Sequence, residues 1–335
     1  IRNYVDEVSG KGLFILTGSA KPIEDKERHS GIGRIKKIMM RTMSMWESNE
    51  SSGEVSLGQL FNKNGNISGK NKYQLKDIAH IICRGGFPSA VIEKNQEIVL
   101  NYAKDYVKAL VANDITSVDD VKRNSKRARM ILKSYARHIS TAANMTTILK
   151  DVEAAADIQD IRTVNSYLEA FVKLFVIDET ESWTPKLRSK TAIRTTSTKH
   201  FVDPSIATAI LDATPNDLMS DLNTFGLLFE NLVLRDLKIY AQSLEGNVYN
   251  YRDKSGLEAD AVIHLNDGRW GLIEVKLGGE KSINEGAETL IKLKDKIDQD
   301  KMSKPSFLAV ITASDLFAYK REDDIYVIPI ACLKP

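Results

Sequence analysis

The sequence predicts a mixed α/β chain in three pieces, on three observations. Toward the C-terminus a helical stretch, Asn284 to Asp300, is followed by apolar strands at Ser306 to Thr312 and Ile325 to Ile330, the alternation that marks α/β packing. Two Val- and Ile-rich runs, Gly256 to Ile263 and Leu272 to Lys276, flank Asn266-Asp267-Gly268, which is hairpin punctuation. Between about Leu75 and Phe175, amphipathic helical periodicity dominates. A chain of 335 residues is long enough for two or three domains, and the divisions fall at 1–105, 106–212 and 213–335.

Taken in order, Leu13 to Thr17 reads as a buried strand and Ile35 to Met40 as a basic strand-like run. Ser48 to Asn71 is rich in Ser, Gly and Asn, with few large apolar residues beyond Val55, Leu57, Leu60 and Phe61, so it reads as surface loop around a short helix. Leu75 to Ile82 is helical and stops at the turn Arg84-Gly85-Gly86-Phe87-Pro88. Lys126 to His138, Asn144 to Val152 and Asp160 to Phe175 are amphipathic helices, the last capped by Asp160. Val176 to Trp183 and His200 to Val202 supply strands, and Leu222 to Leu244 is a helix with Phe225, Leu228, Phe229, Leu232 and Leu237 among its apolar positions.

The chemistry concentrates in the hairpin. Side chains alternate along a strand, so Glu274 and Lys276 share one face and Ile273, Val275 and Leu277 take the other. Asp260 on the partner strand brings a second carboxylate to the same spot. Asp260 and Glu274 suit Mg²⁺, a hard cation that takes one or two protein carboxylates and fills its remaining positions with water and phosphate oxygen. Lys276 would then orient a water or offset charge developing on a phosphate. The alternative is a solvated polar face with an incidental Glu/Lys pair. Glu230 stands among Gly226, Leu227, Val233 and Leu234, its neighbours three and four residues away on the helix. A carboxylate there needs a cation, metal or donor, or must snorkel to water.

These motifs in this order, Gly226-x-x-x-Glu230, Tyr251-Arg252, Leu257-Glu258-Ala259-Asp260 and Ile273-Glu274-Val275-Lys276, resemble the C-terminal domain of a large family of prokaryotic AAA-type ATPases. That domain is similar to restriction endonucleases of the PD-(D/E)xK class. The resemblance extends to the N-terminus, where Leu13-Phe14-Ile15-Leu16-Thr17-Gly18-Ser19 looks like the family's sensor strand, followed by Ser30-Gly31-Ile32-Gly33-Arg34 and Met43-Ser44-Met45-Trp46-Glu47-Ser48. It implies a remnant of a nucleotide-binding domain, a helical middle and a restriction-endonuclease-like α/β domain. It also implies that Thr17 and Ser19 lie on the γ-phosphate side of a nucleotide, that Arg34 acts as an arginine finger between subunits, and that Glu230, Asp260, Glu274 and Lys276 form a nuclease-like site. No Gly-x-x-x-x-Gly-Lys-[Ser/Thr] phosphate loop occurs, no strand ending in paired acids precedes Leu13, and the chain begins with Ile1. The expectation is an N-terminally truncated fragment that does not itself hydrolyse ATP, with ATP and self-association through the ATPase domain belonging to the intact protein.

The middle third resembles a winged helix, whose recognition helix enters the major groove through its N-terminal residues. Arg162, Asn165 and Ser166 are the analogous positions; packing between domains is the alternative use. Val121 to His138 carries Lys122, Arg123, Lys126, Arg127, Arg129, Lys133 and Arg137 with no acid, and Pro185 to His200 carries Lys186, Arg188, Lys190, Arg194 and Lys199 with none. Lys122, Arg127 and Lys190 are therefore candidate phosphate contacts on DNA, although such runs also serve as solvated faces.

A net charge of +2 with 27% charged residues is that of an ordinary soluble protein and demands no polyanion partner. No run of 18 apolar residues offers a membrane span. Cys83 and Cys332 lack metal-ligand spacing and read as reduced thiols of a cytoplasmic protein. His29, His80, His138, His200 and His264 form no zinc or triad pattern. Two function classes follow: a Mg²⁺-dependent DNA phosphodiesterase coupled to ATP hydrolysis in the intact protein, or a regulatory ATPase whose nuclease-like domain binds nucleic acid or a partner without cutting.

Overall fold

The chain folds as mixed α/β. The computed structural model describes residues 1–8, 10–19, 35–62, 67–119, 121–156, 158–185, 196–297 and 302–335. Its N-terminal part holds α1 (Arg2–Glu7), β1 (Val55–Ser56), α2 (Leu57–Phe61) and β2 (Gly69–Lys70). A helical middle follows: α3 (Leu75–Arg84), α4 (Pro88–Ile92), α5 (Gln96–Ala109), a π-helical turn at Leu110–Asp114, α6 (Ile115–Ser117), α7 (Ser125–Arg137), α8 (Met145–Ala156), α9 (Ile161–Lys173), α10 (Pro204–Leu211) and α11 (Pro215–Ser220). The last part comprises α12 (Leu222–Ser243), β3 (Gly246–Arg252), β4 (Glu258–Leu265), β5 (Trp270–Lys276), α13 (Glu280–Lys296), β6 (Phe307–Thr312), β7 (Phe317–Lys320), β8 (Tyr326–Pro329) and β9 (Leu333–Lys334).

The helix boundaries follow local chemistry. Asn124, Asp160 and Asp221 each accept a backbone N–H of the following turn with their side chains, which starts α7, α9 and α12. Gly85 ends α3 at φ +78, where a Cβ would stand 2.2 Å from Ser205 Oγ, so only glycine fits.

Seven strands form one mixed sheet in the order β2-β7-β8-β6-β5-β4-β3. β3, β4 and β5 make an antiparallel meander; α13 then crosses over to β6, which pairs parallel with β5. Both sheet faces are covered. Ala261, Ile263, Ile273 and Val275 join the core of α12, with Phe225, Leu228, Phe229 and Leu232. Val262, Leu272, Leu308 and Val310 on the other face pack with Ile283, Ala287, Leu290 and Leu293 of α13. Burying each Val, Leu, Ile or Phe among them contributes about 1.5–3 kcal/mol.

A buried ionic network joins the pieces. Arg235 on α12 donates to Asp203 Oδ2 at 3.0 Å and to Asp236 Oδ1 at 2.8 Å. Asp203, fully buried at the start of α10, also accepts Thr42 Oγ1 at 2.7 Å and the Gly86 N–H at 2.8 Å, while Asp236 accepts the Met45 N–H at 2.9 Å. Arg235 holds the Asp203 carboxyl below its usual range although burial opposes this.

Several sequence expectations need correction. Leu13 to Thr17 is neither strand nor buried: Ile15 is 90% exposed and Leu16 63%. None of the described strands pairs with it, and an apolar run without neighbouring strands has nothing to bury against. Ile35 to Met40 is likewise unpaired, with Met40 89% exposed. Between Ser48 and Asn71 the expected short helix is α2, but the described residues around it clasp the last strand instead of forming surface loop: β1 pairs with β9, the Ser52 N–H donates to the Ala331 carbonyl, and Val55, Leu57, Leu60 and Phe61 are buried. The strands expected at Val176 to Trp183 and His200 to Val202 reduce to isolated bridges, Ile177 to Phe201 and Thr180 to Thr198. Apolar positions were expected only behind Glu274, yet Trp270 and Leu272 share its face and are buried with α13.

Candidate active site

Glu230 comes from α12, Asp260 from β4, and Glu274 and Lys276 from β5. The β4–β5 ladder ends at the pair Ala261 and Ile273, and one step further Asp260 stands opposite Glu274. Asp260 Oδ2 accepts the Val275 N–H at 2.7 Å, so the carboxylate takes a backbone donor where the ladder stops. Lys276 Nζ donates to Glu274 Oε2 at 2.7 Å. Glu274 retains 6% side-chain exposure and Lys276 28%, so the pair is entered from the lysine side.

α13 roofs this pair through a glycine. A Cβ on Gly286 would lie 3.3 Å from Lys276 Cε and 3.5 Å from Glu274 Cβ, so the absent side chain lets the helix backbone close over them. Glu230, 16% exposed, lies with Oε1 3.5 Å from His200 Nε2. His200 is buried; its Nδ1 is 2.9 Å from Thr180 Oγ1, and its Nε2 makes no hydrogen bond among the described residues.

The electrostatics are those of crowded carboxylates. Burial, then the charges of Asp260 and Glu274, push Glu230 well above the usual carboxylate range, with Lys276 opposing. Burial and Asp260 push Glu274 up to about 8 despite Lys276, and burial raises Asp260 against the pull of Lys276 and the Val275 N–H. For Lys276 burial works against the ammonium, but Glu274 and Asp260 outweigh it and raise its pKa. Burial also drives His200 down to about 3, so it is neutral beside Glu230. Burial and mutual repulsion therefore favour the protonated forms of these carboxyls.

Among the described residues, no group of three or more His, Cys, Asp and Glu side chains has metal-holding spacing. Two facing oxygen donors, Asp260 and Glu274, with each carboxylate having one oxygen already engaged, fit a hard ion that keeps most of its own waters.

The other expected site residues lie elsewhere. Thr17 and Ser19 are exposed in the irregular segment before residue 20. Arg34 and Lys190 fall outside the described residues. Lys122 and Arg162 are exposed on the helical middle, and Arg127 is partly buried on α7. Asn165 is committed to its own helix, donating to Glu169 Oε1 at 2.6 Å. His200 was missed: it lies 30 positions from Glu230, and no spacing motif links residues brought together by packing alone.

Comparison with known proteins finds two matching segments, and one hydrophobic core runs through both. Residues 75–217 match the model of a domain of unknown function (DUF8612), and residues 225–333 match that of another (DUF4143), which is commonly found in AAA-ATPase-associated proteins. The four candidate catalytic residues fall within the second match and His200 within the first. No curated protein and no solved structure matches the chain.

Proposed function

We propose that this chain carries a Mg²⁺-dependent phosphodiesterase centre acting on DNA, built from Glu230, Asp260, Glu274 and Lys276. The observation that carries it is the convergence of three carboxylates, all with raised pKa, beside one ammonium. Perturbed carboxylates of this kind concentrate at functional sites. Asp260 and Glu274 would hold the ion, which supplies charge neutralisation at the phosphate and a more acidic bound water. Glu274 fixes the Lys276 ammonium, which stabilises charge developing on a phosphate oxygen. Burial and the neighbouring carboxylates favour the protonated form of Glu230, and in this reading it would give that proton to a leaving oxygen.

The PD-(D/E)xK likeness and the AAA-type setting belong to this reading, with α7, α8 and α9 as the winged-helix part and ATP and self-association as properties of the intact protein. The test is cleavage of plasmid and oligonucleotide DNA in Mg²⁺ or Mn²⁺. Asp260→Ala and Lys276→Ala should each lower the rate by about 10²–10³-fold. Cutting that survives both substitutions is contamination and ends the proposal.

One observation favours a second reading. Glu274 is nearly closed off beneath α13, and no three-ligand group is formed among the described residues. A domain that binds nucleic acid or a partner without cutting would show no metal-dependent cleavage in the same assay.

A further inference from the structure

The helix α7 carries a charge pattern that works against its own stability. Lys126, Arg129, Lys133 and Arg137 follow one another at steps of three, four and four residues, which keeps them on one side of the helix. Like charges at these spacings repel, and the first turn, where the helix dipole favours acids, contains none. Lys126, Arg129 and Lys133 are exposed and make no ion pair among the described residues. Nearby acids are already engaged: Asp119 by Arg123 and Lys173, and Asp151 by His138 and by Arg137, whose side chain remains 60% exposed. A local choice that costs stability without an internal gain points to a partner.

We propose that this face of α7 is a sequence-independent docking surface for the phosphate backbone of a nucleic-acid duplex. The four cations span about 16 Å of helix at 1.5 Å per residue, a row able to follow a line of phosphates. Ala128, Ile131, Leu132 and Tyr135 are buried in the core, so α7 offers neither an apolar wedge for a lipid surface nor an aromatic platform for single-stranded bases. The N-terminal face of α9 suits phosphate less well, because Asn165 is tied to Glu169 there. This inference deepens the nucleic-acid part of the function proposed above and is independent of cleavage.

The test is binding of the full chain, in EDTA, to mixed-sequence DNA and RNA duplexes by fluorescence anisotropy across a NaCl series. Each phosphate contact contributes about −0.9 to the slope of log K against log salt, so the triple variant Lys126→Ser/Arg129→Ser/Lys133→Ser should flatten it by about 2.7. Its affinity at moderate salt should fall at least about tenfold, while its melting temperature stays at or above that of the wild type. Binding of either duplex that responds in this way supports the inference, and the two arms tell DNA from RNA. The proposal is overturned by an unchanged slope in the triple variant, by no duplex binding in the wild type, by a larger loss in Arg162→Ser, or by preference for phosphatidylserine vesicles over duplex. Intact binding with no cleavage in Mg²⁺ would instead sink the phosphodiesterase reading and leave this one standing.

Discussion

Two side chains of the site make opposite demands on pH. Glu274 has its pKa raised from 4.5 to about 8, so the folded state holds a proton that the unfolded chain releases. Its contribution is fully present below about pH 4.5 and is lost as pH rises through about 8. His200 has its pKa lowered from 6.5 to about 3, so its contribution is present above pH 6.5 and is lost as pH falls toward 3. Melting curves from pH 5 to 9 should therefore show Glu274→Gln gaining on the wild type as pH rises, and His200→Gln gaining as pH falls below about 6.5. A Glu274→Gln difference that does not change between pH 5 and 9 would show that the carboxyl is ionised throughout. Asp260, Glu274 and Lys276 were legible because hairpin punctuation and strand alternation are local rules. His200 was not, because its place beside Glu230 depends on the packing of two distant segments.

At the scale of elements, the roof over Glu274 rests on Gly286. Alanine in mid-helix ordinarily gains up to about 1 kcal/mol over glycine, but here its Cβ meets Lys276 Cε, so the gain should be absent. A leucine there should cost about 1–3 kcal/mol by overpacking, with both variants read by urea unfolding. A full helix-propensity gain in Gly286→Ala would show that α13 stands off the strand. The helices α3, α7, α9, α12 and α13 were legible from periodicity and caps, each within a few residues of its observed bounds. The strand expected at Leu13 to Thr17 was not realised, since an apolar run states a need for neighbours without supplying them. β3, β7, β2 and the β1–β9 pair escaped notice for the converse reason: they are short or partly polar, and distant pairing partners define them.

Over the whole molecule, the Asp203, Arg235 and Asp236 network ties the residues around Thr42 and Met45 and the Gly86 turn to α10 and α12. Because Arg235→Met would leave two buried carboxylates unpaired, it should cost about 3–5 kcal/mol in a chemical denaturation experiment. A loss below about 1 kcal/mol would mean that water reaches the network. The same α12 that carries Arg235 carries Glu230, so the network also fixes the helix that brings one carboxylate to the other two. The most direct test is calorimetric titration of the whole chain with Mn²⁺ at pH 8.5, where the cluster has released more of its protons. One binding event that Asp260→Asn abolishes is the predicted result; no event at millimolar Mn²⁺, or an event unchanged in Asp260→Asn, would contradict it.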